Sequence, residues 1–133
     1  MIILLFHVLF PEITVNATCA NTFDSETQLI KSPNYPEMYP NSQNCIWILR
    51  APLGMRLKLN SFNYKIEDHD TCNWDYLKIY DGETENNEIA KLCGEGEQQN
   101  FESDGNALRL HFHSDSFVQG KGFEIKMEIF GKS

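Results

Sequence analysis

Positive charge is scarce in this sequence: 11 Lys and Arg stand against 19 Asp and Glu, for a formal net charge of −8. Nucleic-acid binding needs cations gathered on one face to displace phosphate counterions, so that class is excluded, and with it adhesion to an anionic membrane surface. An acidic chain suits cations instead, either metal ions or basic side chains. Catalytic signatures are missing too, since the sequence has no HExxH, no GxSxG and no phosphate loop. Ser, His and Asp do meet in His113-Ser114-Asp115-Ser116. Neighbours on a strand point to opposite faces, however, and a triad draws on distant positions, so no enzyme is expected. No apolar stripe of helical period is long enough for a three-turn helix. Cysteine is limited to Cys19, Cys45, Cys72 and Cys93, none in CxxC or zinc-ligand spacing.

What is present fits one domain with a single modest core: 133 residues, 41% hydrophobic and 12% aromatic. Met1 to Phe10 form an apolar run closed by Pro11. The run is shorter than the roughly 20 residues of a membrane span, so no membrane insertion is expected. It fits the core of a signal peptide, with Val15-Asn16-Ala17 offering small residues to a peptidase. Residues 1–17 are therefore expected to be removed, leaving a secreted mature domain over 18–133. The only glycosylation sequon, Asn16-Ala17-Thr18, straddles that cleavage point. An even cysteine count in a small secreted chain implies two disulfides, and the sequence alone permits three pairings.

The mature segment alternates between short strands and turns. Met55, Leu57 and Leu59 share one face of an extended run, with Arg56, Lys58 and Asn60 on the other. Leu108–His113 and Phe123–Ile129 repeat the pattern. Period-two alternation of this kind marks strands with one wet and one buried face. Cys45–Leu49 is nearly all apolar and is expected to cross the core. Trp74–Tyr80 reads as a strand ending at the Asp81-Gly82 turn. The prolines at 33, 36 and 40 rule out a helix there. Many short strands at close intervals predict an all-β sandwich or barrel.

Several motifs narrow this further. Ser32-Pro-Asn-Tyr-Pro36 is followed by Tyr39-Pro40, then by Cys45 with Trp47. Later come Cys72-x-x-Asp75-Tyr76, Ile79-Tyr-Asp-Gly82, Leu92-Cys-Gly94, Phe112-His-Ser-Asp115 and Gly122-Phe123. From Cys19 to Phe130 this pattern resembles a CUB domain. The resemblance implies a jelly-roll-like β-sandwich of two antiparallel sheets with sequential disulfides, Cys19–Cys45 and Cys72–Cys93. Each such bridge would contribute roughly 3.5 kcal/mol by the chain-entropy estimate. It also implies a Ca²⁺ site at one end of the sandwich, built from Glu67, Asp75 and Asp115, with the Phe117 backbone carbonyl completing the shell and Tyr39 beside it. The position after Phe117 often carries Asn in that family, and Val118 departs from it. In CUB domains of complement proteases and of a vitamin-uptake receptor, a partner's Lys or Arg reaches the same carboxylates. The resemblance therefore implies an extracellular protein partner that docks a basic side chain on Tyr39, Glu67, Asp75 and Asp115.

Elementary chemistry agrees, because Ca²⁺ takes six to eight oxygen ligands and three carboxylates brought together without a cation repel one another. Read without the resemblance, Glu67-Asp68-His69-Asp70 is a solvated acidic loop, and Asp68 and Asp70 are read as rim acids. Other readings compete. His69, His111 and His113 could form a zinc site or pH sensor, against the plainer view that they are polar residues on a wet face. Tyr35, Trp47, Trp74, Tyr76 and Phe112 could form a carbohydrate platform, against the view that they are core residues or pack on the disulfides. A stand-alone CUB protein of the spermadhesin kind would bind glycans, phospholipids or protease inhibitors without calcium, and a β-barrel carrier would enclose an apolar cavity. The sequence is compatible with a homo-oligomer and with one module of a longer chain.

Overall fold

In the computed structural model, which describes residues 19–23, 28–97 and 100–131, the regular elements are all strands. The expected signal segment, residues 1–17, lies outside the described residues. In chain order the strands are β1 (Ala20–Phe23), β2 (Gln28–Lys31), β3 (Asn44–Arg50), β4 (Arg56–Ile66) and β5 (Tyr76–Asp81). They continue with β6 (Glu88–Leu92), β7 (Gly94–Glu97), β8 (Phe101–Glu102), β9 (Ala107–His113) and β10 (Gly122–Phe130). One sheet runs β1-β3-β9-β5-β6 and the other β2-β10-β4-β7, with β8 also pairing β4. Among the described residues no helix is long and apolar enough to cross a membrane.

The alternation read from the sequence decides which side chains face inward. Leu108, Leu110 and Phe112 of β9 are fully buried, and so are Leu57 and Leu59 of β4 and Phe123, Ile125 and Met127 of β10. Each such side chain contributes about 1.5–3 kcal/mol on leaving water. The sheets meet through aromatic edges: Phe123 packs against Phe112 at 5.4 Å and against Trp47 at 5.8 Å between ring centroids. Core side chains thus fill the interior that an apolar-ligand carrier would leave hollow.

β3 crosses the core as expected: Cys45, Trp47 and Leu49 point inward, while Ile46 and Ile48 are half-buried on the outer face opposite His111 and Arg109. Two local expectations change. β5 starts at Tyr76 rather than Trp74, because Asp75 is committed to the hydrogen bonds described below. One strand pair is parallel, since β1 runs alongside β3 with Ala20 opposite Ile46. The Cys19–Cys45 disulfide joins the entrances of these two strands, and the Ile46 N–H donates to the Cys19 carbonyl at 3.1 Å, so both chains leave in the same direction. The second disulfide is Cys72–Cys93, and no described cysteine is free.

One end of the sandwich gathers four connections: the β2–β3 loop, the β4–β5 loop, the β9–β10 loop and the turn entering β7. The β2–β3 loop is fixed across this end by the Tyr39 N–H, which donates to the Gly120 carbonyl at 3.0 Å, and by the Ser42 N–H, which donates to the Asp115 carbonyl at 2.7 Å.

Candidate metal centre

Glu67 immediately follows β4, Asp75 immediately precedes β5, and Asp115 lies two residues beyond β9. These strands belong to both sheets, yet one carboxylate oxygen from each acid lies within 4.8 Å of the others. Among the described residues this is the one group of three or more His, Cys, Asp or Glu side chains that could hold a metal ion.

Tyr39 organises the cluster from beneath. Its ring is fully buried and packs edge-on against Phe112 at 4.9 Å. Its hydroxyl donates to Asp75 Oδ2 at 2.7 Å and accepts the Glu67 backbone N–H at 3.0 Å. The other oxygen, Asp75 Oδ1, accepts the Asp115 N–H at 2.7 Å. One fully buried carboxylate is thus tied to both of the other acid-bearing loops. Asp115 Oδ1 in turn accepts the Phe117 N–H at 3.1 Å. The resemblance places Tyr39 beside a partner; with 0% exposure, its hydroxyl holds the Asp75 carboxylate and the Glu67 backbone.

The cluster carries uncompensated charge. No Lys or Arg among the described residues pairs with Glu67, Asp75 or Asp115. Glu67 Oε1 is buried and has no hydrogen-bond partner. Burial, reinforced by the charges of Asp75 and Asp115, pushes the Glu67 carboxyl up from 4.5 to about 7. Burial also raises Asp75, against the opposing hydrogen bonds from Tyr39 and the Asp115 N–H. Tyr39 lies above the usual phenol range, chiefly through burial and then through its bond to Asp75.

These shifts carry a sign. A group whose folded pKa exceeds its unfolded value stabilises the fold below the unfolded pKa, and that contribution is lost as pH rises through the folded pKa. In the presence of a chelator, the melting temperature is therefore expected to fall as pH climbs from about 5 to 8, and Glu67→Gln should flatten the fall. A melting temperature that rises over this range in chelator, or a fall unchanged by Glu67→Gln, would contradict the assignment.

The donor set consists of hard oxygens with one buried carboxylate oxygen left over, which fits Ca²⁺. Asp68 and Asp70 are exposed, as expected of rim acids. Phe117 and Val118 project their side chains into solvent. The histidines do not converge. His69 Nδ1 accepts the N–H groups of Thr71 and Asn73 in its own loop, and His111 Nε2 bonds Asn44 Oδ1 at 2.6 Å. Of the aromatic candidates, Trp47 and Phe112 are core, whereas Trp74 is 48% exposed and lies against the His69 ring at 4.2 Å.

Ser114 is a supporting residue to which the sequence reading assigned no role. Its buried hydroxyl donates to the Pro40 carbonyl at 2.9 Å and accepts the Gln43 N–H at 2.8 Å, fastening the Asp115 loop to the Tyr39 loop. Its place in the Phe112-His-Ser-Asp115 motif was the available signal.

The CUB-domain profile matches residues 19–127. The chain is 39% identical to human Tolloid-like protein 1 over 109 residues, which is 81% of this chain and 11% of that protein. It is 42% identical to zinc metalloproteinase nas-39 of Caenorhabditis elegans over 110 residues, again 81% and 11%, and 36% identical to pig cubilin over 111 residues, 80% and 3%. The chain therefore spans about a tenth or less of these relatives' lengths. Among solved structures, the extracellular region of zebrafish Gpr126/Adgrg6 aligns with a TM-score of 0.78 and 30% identity, over 86% of this chain and 15% of that one. The MASP-1 CUB2 domain bound to Ca²⁺ aligns with a TM-score of 0.70 and 28% identity, over 81% and 96%. CUB domains typically mediate protein–protein interaction, and proteins carrying them are mostly extracellular or secreted. With the profile covering nearly all of the described chain, its two sheets and two disulfides in place, this chain belongs to the CUB-domain family.

Proposed function

We propose that this domain is a secreted, non-catalytic interaction module that binds Ca²⁺ through Glu67, Asp75, Asp115 and the Phe117 carbonyl, and that a partner's Lys or Arg docks there. The observation that carries this reading is the buried, unpartnered Glu67 Oε1 beside two further carboxylates with no counter-cation. The alignment with a Ca²⁺-bound CUB2 domain supports it. When bound, the ion would neutralise most of the mutual repulsion and keep Glu67 ionised at neutral pH. Three carboxylates around a divalent ion leave one negative charge, which can attract a cationic side chain. Tyr39 fixes the Asp75 carboxylate and the backbone at Glu67 from below, so that the docking surface is ordered before the partner arrives and binding avoids that entropic cost.

A poly-L-lysine surface tests the docking step. The chain is acidic and will adhere to lysine non-specifically, but calcium lowers its net negative charge and so weakens that background. Docking through the site predicts the reverse: millimolar calcium should increase retention relative to chelator, and Asp115→Ala should remove the increase. Retention that stays level or falls with calcium would reject this mechanism in favour of a calcium-independent binder.

A further inference from the structure

A groove leads away from the acid cluster along β4. Its first hollow holds about 470 Å³ and is lined by Glu67 and Asp68, by Val118, and by Lys65 and Glu95. Lys65 and Glu95 also line a second hollow of about 600 Å³, where Lys121 and Tyr35 join them. The shared residues make the two hollows one continuous groove.

Charge changes sign along it. Glu67 and Asp68 stand at the cluster end, whereas Lys65 and Lys121 are exposed further on and pair with no carboxylate among the described residues. Register sets Gly122 opposite Lys65, which brings the neighbouring Lys121 to the same part of the sheet. Glu95 stands opposite Lys65 on β7 yet forms no ion pair with it. Two unpaired ammonium groups beside a site that receives a cation repel a partner that is only basic. The spacing shows how a partner can satisfy both. Lys65 and Glu67 are two positions apart and line the same hollow, an interval of about 7 Å along an extended chain. An extended partner segment repeats that interval between its own alternate side chains.

We propose that the protein segment docking on the acid cluster is extended and carries Asp or Glu two residues from its Lys or Arg, with that carboxylate seated against Lys65 and Lys121. The inference rests on the docking reading given above. It adds a second charged position to what the site recognises, so a lone basic side chain is the weaker ligand.

Three peptides tethered at equal density on a biosensor chip provide the test, with the protein in millimolar calcium and in chelator. Each has one Lys in a Gly-Ser background. The first carries Glu two residues to either side of it, the second Gln at those positions, and the third Glu directly next to the Lys. General attraction to an acidic chain, at −8 net charge, favours the Gln peptide. The proposal predicts the reverse: calcium-dependent affinity about fivefold higher for the first peptide than for the second or third. Lys65→Gln with Lys121→Gln should abolish that preference and leave the calcium gain in melting temperature in place. Lys78→Gln with Lys91→Gln, which face each other across β5 and β6 on the other sheet, removes the same charge and should keep the preference. Calcium-dependent binding that is equal for the first peptide and either control, or a preference that survives Lys65→Gln with Lys121→Gln, would overturn this proposal alone. No calcium-dependent retention of any peptide would overturn the docking reading with it.

Discussion

Asp115→Ala is expected to erase a calcium-dependent gain in melting temperature that the unaltered protein shows in full. A ligand that binds only the native state adds about 2.7 kcal/mol when present at a hundred times its dissociation constant, which for a domain of this size is a rise of roughly 10 °C. Asp115 is the informative position because it can be removed with little damage. Its side chain accepts only the Phe117 N–H, and it is less buried than Asp75. Asp75→Ala would also strand the Tyr39 hydroxyl and the Asp115 N–H, confounding ion loss with local collapse. Differential scanning calorimetry in calcium and in chelator gives the answer. A full calcium gain in Asp115→Ala would mean that the ion sits elsewhere, and no gain in the unaltered protein would reject calcium binding itself.

Opening the second disulfide is expected to cost both stability and calcium response. Cys72–Cys93 closes a separation of 21 residues and, on chain entropy, contributes roughly 3.5 kcal/mol. It also ties the middle of the 67–75 connection, which has Glu67 at one end and Asp75 at the other, to the start of β7. Cys72→Ser with Cys93→Ser should lower the melting temperature by roughly 10–15 °C in chelator. The remaining calcium gain should be smaller than in the unaltered protein, because the ion must then order the loop itself. A variant that melts lower yet keeps the whole gain would show that the bridge stabilises the sandwich without shaping the site.

Much of this architecture was readable before any coordinates. Leu57, Leu59, Leu108, Leu110, Phe112, Phe123 and Met127 declare their strands by alternation, because one-sided burial imposes a period of two. The acids at 67, 75 and 115 were legible only through the motif resemblance; by local composition, Glu67 and its neighbours read as a wet loop. Facts that depend on long-range register stayed hidden. Nothing local makes β1 parallel to β3; that follows from the position of the Cys19–Cys45 bridge. The Lys78–Lys91 juxtaposition is invisible along the chain, since it exists only once β5 and β6 pair with Lys78 opposite Lys91. Trp74 read as a strand residue by its neighbours, yet the commitment of Asp75 to Tyr39 delays the start of β5 to Tyr76 and leaves the Trp74 ring half-exposed outside the strand.

The acid cluster draws its members from three connections that belong to different sheets, with Tyr39 contributed by a fourth. An unfolded chain cannot grip an ion with such a set, because its parts are far apart along the backbone until the sandwich has closed. On the proposed reading, calcium has nothing to hold during most of the climb to the folding barrier and much to hold afterwards. Its effect falls on escape from the native state, lengthening the lifetime of the folded domain and leaving the speed of its formation almost unchanged. Against a protease, slow opening is the form of durability that matters under conditions where cleavage outpaces reclosing.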